Sequence, residues 1–225
     1  MLPSCACAGK SRGYQGGDLK KVLFVSIFLL TAMFAAADTL SLTGLPGFTY
    51  NGYYVGPATG NLNDGTSFAL VCNDFTDTSY IPSSFTVNVS TIPELQYALF
   101  TGTLPTAAEI GAYEQAAILM WQMGQPGNQT AAGIGGIQFA IWNLFYPAAP
   151  DPGTSASWVS WAQSQDLSAW DYGGVSVYTP TDTDSHNQEF MSGAASPVPE
   201  PTTFGLVGSA LLGAGLLIRR WRMRV

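Results

Sequence analysis

The chain has 225 residues, 47% of them hydrophobic, with 8 Lys and Arg against 15 Asp and Glu and a formal charge of -7. That length suits one domain with appendages, and the acidity argues against nucleic acid as a partner, because phosphate contacts need clustered bases. The bases are segregated: Lys10, Arg12, Lys20 and Lys21 precede residue 22, Arg219, Arg220, Arg222 and Arg224 follow residue 218, and no Lys or Arg lies between.

Lys20 and Lys21 introduce the apolar run 22–34, which ends in Ala35-Ala36-Ala37 before Asp38. A basic start, a short apolar stretch and small residues at its end read as a secretory signal peptide cleaved between Ala37 and Asp38, so residues 1–37 are assigned to a leader and signal peptide. Cys5 and Cys7 stand too far from the end of the run to be a lipoprotein acceptor. A translation start near Leu19 from an unconventional codon would leave residues 1–18 outside the precursor, a hypothesis that N-terminal sequencing of the precursor tests.

The segment 38–178 is expected to be a folded domain whose first half is β. Residues 39–45, 48–55, 66–75 and 85–90 are rich in aromatic and β-branched types, with Asn51-Gly52 and Asn63-Asp64-Gly65 as turn clusters. Alternation of Phe68, Leu70 and Cys72 puts the cysteine on an apolar face, while Val71 and Phe75 make the other face apolar as well, which predicts an inner strand.

The period then becomes helical. Thr106-Ala107-Ala108-Glu109 is a capping box, and Ile110, Tyr113, Ala117, Met120 and Trp121 recur at three and four residue steps until Gly124. A second helix runs from residues 131–135 to Tyr146 with Ile134, Ile137, Ile141 and Phe145 on one stripe and Gln138 in its middle. A short third helix is expected at 157–165, and a last strand at 175–178. Residues 179–197 are polar, small and without sustained periodicity, and read as a spacer lifting the domain from the membrane.

At the end of the chain, Pro199-Glu200-Pro201 is followed by the apolar run 202–218 and by Arg219, Arg220 and Arg222. At helical rise the run extends about 25 Å, marginal against a hydrocarbon core of roughly 30 Å. The flanking bases orient it with the base-free middle outside the cytoplasm. Residues 198–225 closely resemble the PEP-CTERM sorting signal of diderm bacteria that make exopolysaccharide. The resemblance implies a transmembrane sorting helix, exosortase as a partner during export, and a mature form at the cell surface or in the extracellular matrix, while the N-terminal leader implies signal peptidase.

Trimming both ends removes every Lys and Arg and leaves thirteen acids, one histidine, His186, and one cysteine, Cys72. No intramolecular disulfide is then available, and Cys72 is a buried hydrophobe, an intermolecular disulfide or a reactive group. A glutamine amide buried without partners costs on the order of 1–3 kcal/mol, so Gln138 needs either a backbone bond or a condensation with the thiol. Three blocks carry a second resemblance: Val71-Cys72-Asn73-Asp74, Gln115-Ala116-Ala117-Ile118-Leu119, and Gln138-Phe139-Ala140-Ile141-Trp142. Together they look like the pattern of bacterial thioester domains from the tips of surface adhesins, although Ile137 replaces the usual Thr, Val71 an aromatic or Leu, and Asn73 a hydrophobe.

That resemblance implies an α+β fold, with an N-terminal β-rich subdomain packed on a small helical subdomain and a Cys72-Gln138 thioester at their junction. An amine from a partner surface would attack the Gln138 carbonyl and expel the Cys72 thiolate, a single acyl substitution rather than turnover. Lack of lysine would protect such an electrophile from its own chain; compositional drift in acidic exported proteins is the plain alternative. Neither a cofactor nor a metal site is expected, because Cys and His lack ligand spacing, and enzymatic turnover is not expected either. Two readings stand: an adhesin-like domain that couples to amines, or a non-reactive structural protein of the exopolysaccharide or biofilm layer.

Overall fold

The computed structural model describes residues 37–182 and 186–198. Six strands close into an antiparallel barrel in the order β1-β4-β5-β9-β8-β6. They are β1 (Asp38–Gly44), β4 (Ala58–Leu62), β5 (Phe68–Cys72), β6 (Ser83–Thr91), β8 (Ser176–Pro180) and β9 (Phe190–Ser192). A hairpin of β2 (Phe48–Tyr50) and β3 (Tyr53–Val55) stands apart from the barrel. So does the pair β7 (Trp170–Asp171) and β10 (Ser196–Pro197). Among the described residues three α-helices, α1 (Ala107–Met123), α2 (Ala131–Phe145) and α3 (Ser155–Gln163), complete an α+β fold.

The strand expected over 48–55 is two strands. Asn51 and Gly52 both take positive φ, 50° and 84°, the twist that joins the arms of a tight hairpin. β5 stops at Cys72, three residues short of expectation. Both long helices start where side chains cap them. Thr106 Oγ1 accepts from the Glu109 amide at 3.3 Å while Glu109 Oε2 accepts from the Thr106 amide at 2.7 Å, and Thr130 Oγ1 accepts from the Gly133 amide at 3.0 Å.

Alternation along the barrel strands divides the apolar residues between two cores. Leu40, Leu42, Leu70 and Phe190 fill the barrel. Val71, Val177 and Met191 point the other way and pack with Tyr113, Ile118, Ile137 and Phe139 of the helices. Each fully buried Leu or Ile stabilises the fold by about 1.5–3 kcal/mol, so the helices are held by the outer face of the barrel rather than by helix propensity.

The segment 179–197 is not a spacer. Phe190, Met191 and Ser192 are all buried, and β9 pairs with both β5 and β8, so it closes the barrel. The strand expected at 175–178 is likewise not the last. Among the described residues no helix is long and apolar enough to cross a membrane. The expected span at 202–218 and the signal peptide, apart from Ala37, lie outside the described residues.

Candidate functional site

β5 ends at Cys72, opposite Phe190 of β9. The thiol donates to the Asp74 carbonyl oxygen at 2.9 Å. Burial pushes the Cys72 thiol up, the Asp74 carboxylate pushes it in the same direction, and the Trp142 indole N–H opposes them.

Gln138 comes from the middle of α2 and is 1% exposed. Its Nε2 donates to the Cys72 carbonyl oxygen at 2.7 Å, and its Oε1 accepts from the Gly56 amide at 3.4 Å. Gln138 thus meets Cys72, 66 residues away in sequence, through the Cys72 backbone carbonyl. Gly56 has φ +91°, and a side chain there would meet Ile134 Cγ2 at 2.8 Å. Only glycine keeps this amide aimed at the Gln138 oxygen without strain.

Cys72, Gln138 and Trp142 line one cavity of about 260 Å³, with Tyr53 and Phe75 among its walls and Asp77 among its polar groups. The rings of Phe139, Phe75 and Tyr53 lie 5.0, 5.2 and 6.0 Å from that of Trp142, in tilted or edge contacts that aromatic pairs favour. Leu45 and Tyr54, also on the lining, are 53% and 59% exposed. Asp77 meets His186 Nδ1 at 3.1 Å. The sequence offers no Lys or Arg anywhere between residues 22 and 218, so no ε-amine of the domain can reach this cavity.

The neighbours of the pair do different things. Asn73 is fully buried and its Nδ2 donates to Glu189 Oε1 at 2.6 Å; a hydrophobe could not make that bond. Asp74 Oδ1 accepts from the amide and hydroxyl of Thr76 at 2.7 and 2.6 Å, while its Oδ2 is buried without a partner. Ala140 and Ile141 are packed in the helical core. Gln115 is half-buried on α1 and is not part of the cavity wall. Pro199, Glu200, Pro201, Arg219, Arg220 and Arg222 lie outside the described residues.

Sequence reasoning missed Gly56, Gln188 and Glu189. Gln188 Nε2 donates to the Asp74 carbonyl at 2.8 Å and its backbone amide to Ser79 Oγ at 2.9 Å, which pins the loop after Cys72. Glu189 is fully buried and accepts from Asn73, Tyr113, Thr179 and the Leu99 amide. Burial pushes its carboxyl up, against those four donors. The Asn51-Gly52 turn was the one available signal for the hairpin that carries the cavity wall; nothing local marks Glu189.

A PEP-CTERM protein-sorting motif matches residues 197–220, and marks the chain for export and exosortase processing at the cell envelope. No curated protein matches the sequence. Several solved structures are similar. One is the N-terminal thioester domain of a surface protein from Clostridium perfringens, at 12% identity and a TM-score of 0.44 over 71% of this chain and 99% of that one. Another is the N-terminal thioester domain of the fibronectin-binding protein SfbI from Streptococcus pyogenes, at 9% and 0.45 over 70% and 94%. The N-terminal domain of the Streptococcus pyogenes pilus tip adhesin Cpa gives 12% and 0.42 over 75% and 97%.

Proposed function

We propose that the exported domain is an adhesin-like surface or matrix protein that couples covalently to an amine-bearing partner through a thioester between Cys72 Sγ and the Gln138 side-chain carbonyl carbon. The observation that carries this reading is the meeting of a cysteine and a buried glutamine at 2.7 Å, backbone oxygen to side-chain amide, on the wall of an aromatic cavity. Thioester formation joins sulfur to carbon, releases ammonia from Nε2, and transfers the thiol proton to the departing nitrogen. Attack by a partner's amine joins nitrogen to the same carbon and returns the proton to sulfur. Negative charge gathers on Gln138 Oε1 in both steps, and the Gly56 amide already donates there.

Each molecule reacts once, so the domain is a cross-linker and not an enzyme. Aromatic rings of Tyr53, Phe75 and Trp142 line the cavity, and the lysine-free chain keeps the electrophile for an outside amine. Signal peptidase and exosortase act during export, and the exopolysaccharide layer is the setting in which such a coupling would anchor cells or matrix. Purified domain incubated with methylamine should gain an adduct confined to the Gln138 peptide, and Cys72→Ala should abolish it; an adduct that persists in Cys72→Ala rejects the pairing.

One observation favours a second reading. Both polar ends of the Gln138 amide are satisfied by backbone, at Cys72 and Gly56, which is how a structural glutamine is accommodated in a core. On that reading the same scaffold is a non-reactive component of the matrix, and methylamine leaves it unchanged.

A further inference from the structure

Trp142 follows Gln138 by four residues in α2, so the two side chains leave the same face of the helix. Both reach the cavity that Cys72 lines. The indole is 5% exposed, and its Nε1 is buried with no hydrogen-bond partner. An orphaned donor in a packed core is uncommon and calls for a physical reason. The indole and the Cys72 sulfur share the cavity lining, where burial holds the proton on sulfur and this N–H opposes it. A neutral thiol is a weak acceptor, but a thiolate is a strong one. Beside a neutral thiol this donor has only a weak acceptor, and beside a thiolate it would have a strong one.

We propose that Trp142 is a catalytic residue of acyl transfer at this site, its indole N–H stabilising negative charge on the Cys72 sulfur whenever the carbon–sulfur bond is made or broken. The inference rests on the thioester reading and deepens it by naming the group that serves the sulfur. When the bond forms, the Cys72 sulfur adds to the Gln138 carbonyl carbon, the thiol proton passes to nitrogen, and ammonia leaves. When an amine is captured, the carbon–sulfur bond breaks with its electron pair on sulfur, and a proton from the amine ends there. No electron donor or acceptor is needed in either direction. The two atoms that gain charge have separate donors, Gly56 for the oxygen and Trp142 for the sulfur. Fixed donors aimed at developing charge lower a barrier without reorganising at the moment of reaction.

The purely packing role of Trp142 predicts something different, because its ring contacts with Phe75 and Phe139 survive in Trp142→Phe while the N–H is lost. In a Gln138→Ala background no thioester can form, so Cys72 is a thiol whatever the wild-type protein does. There, Trp142→Phe should slow alkylation of Cys72 by iodoacetamide about tenfold at a pH below the ionisation of the thiol and shift the rate profile to higher pH. With Gln138 intact, Trp142→Phe should slow methylamine capture by roughly 10- to 100-fold. An unchanged alkylation profile overturns the proposal, even if methylamine is captured by the wild type. A slowed profile together with no capture in the wild type supports the donor and contradicts the thioester reading instead. If Trp142→Phe fails to fold, β-(3-benzothienyl)alanine at position 142, which exchanges the N–H for sulfur at nearly constant shape, gives the same comparison with the same two outcomes.

Discussion

The side-chain amide of Asn73 donates to the carboxylate of Glu189 at 2.6 Å, joining the residue after Cys72 to the residue before β9. The Asn73 backbone amide also donates to the Glu189 carbonyl oxygen at 3.3 Å. Through the same carboxylate the exit of β5 is tied to Tyr113 of α1 and Thr179 of β8. The backbone that presents the Cys72 carbonyl to Gln138 is thus fixed from two sides, by β9 and by the helices. A reactive pair needs this, because acyl transfer is sensitive to displacements of about 1 Å.

Glu189→Ala leaves the four donors that meet its buried carboxyl without their acceptor. The expected loss of stability is on the order of 3–5 kcal/mol, read from urea unfolding of the domain. A loss comparable to that of an exposed acid, such as Glu94→Ala, would show that the carboxylate is not a hub.

Burial raises the folded-state pKa of Glu189, above an unfolded value of about 4.3. The folded state therefore holds the proton more tightly than the unfolded state. The contribution of the group to stability is fully present below the unfolded pKa and is lost as pH rises through the folded one. The stability of the wild type relative to Glu189→Gln should be greatest near the acid limit and should decline as pH rises above that window. A relative stability that grows with pH would mean that the four donors outweigh burial.

Gly56→Ala forces a Cβ to within 2.8 Å of Ile134 Cγ2 at a φ of +91°. We expect a loss of about 1–3 kcal/mol, together with a shifted Gly56 amide and slower methylamine capture. Capture at the wild-type rate in a destabilised Gly56→Ala protein would remove Gly56 from the acyl-oxygen role.

A chain truncated after Pro180 lacks β9 and Glu189, so the barrel is left open between β5 and β8. It should show no cooperative thermal transition, whereas residues 38–198 should unfold in one. Cooperative unfolding of the shorter chain would restore 179–197 to the status of a spacer.

The helices were legible because their signals are local: the Thr106 and Glu109 capping box and an apolar stripe interrupted by Gln138. β5 was legible from the alternation of Phe68, Leu70 and Cys72. β4 was not, since Ala-Thr-Gly-Asn-Leu reads as a loop. It becomes a strand because Gly60 lets the chain approach the Ser41 carbonyl and Leu70, where a Cβ would lie 2.7 and 2.5 Å from them. β9 is only three residues long, too short to display a period, and it sits in a polar run. The role of Glu189 depends on Asn73, Leu99, Tyr113 and Thr179, which the fold alone brings together. The sequence blocks pointed to Cys72 and Gln138, which meet through the Cys72 carbonyl, but Gly56 and the buried Trp142 donor required the three-dimensional arrangement.

The most direct test of the central claim is the intact mass of the exported domain, purified without amines or other nucleophiles. A thioester predicts a mass short by one ammonia, a Cys72 that resists alkylation, and loss of the deficit in Cys72→Ala. A full unmodified mass with Cys72 freely alkylated after unfolding would contradict it.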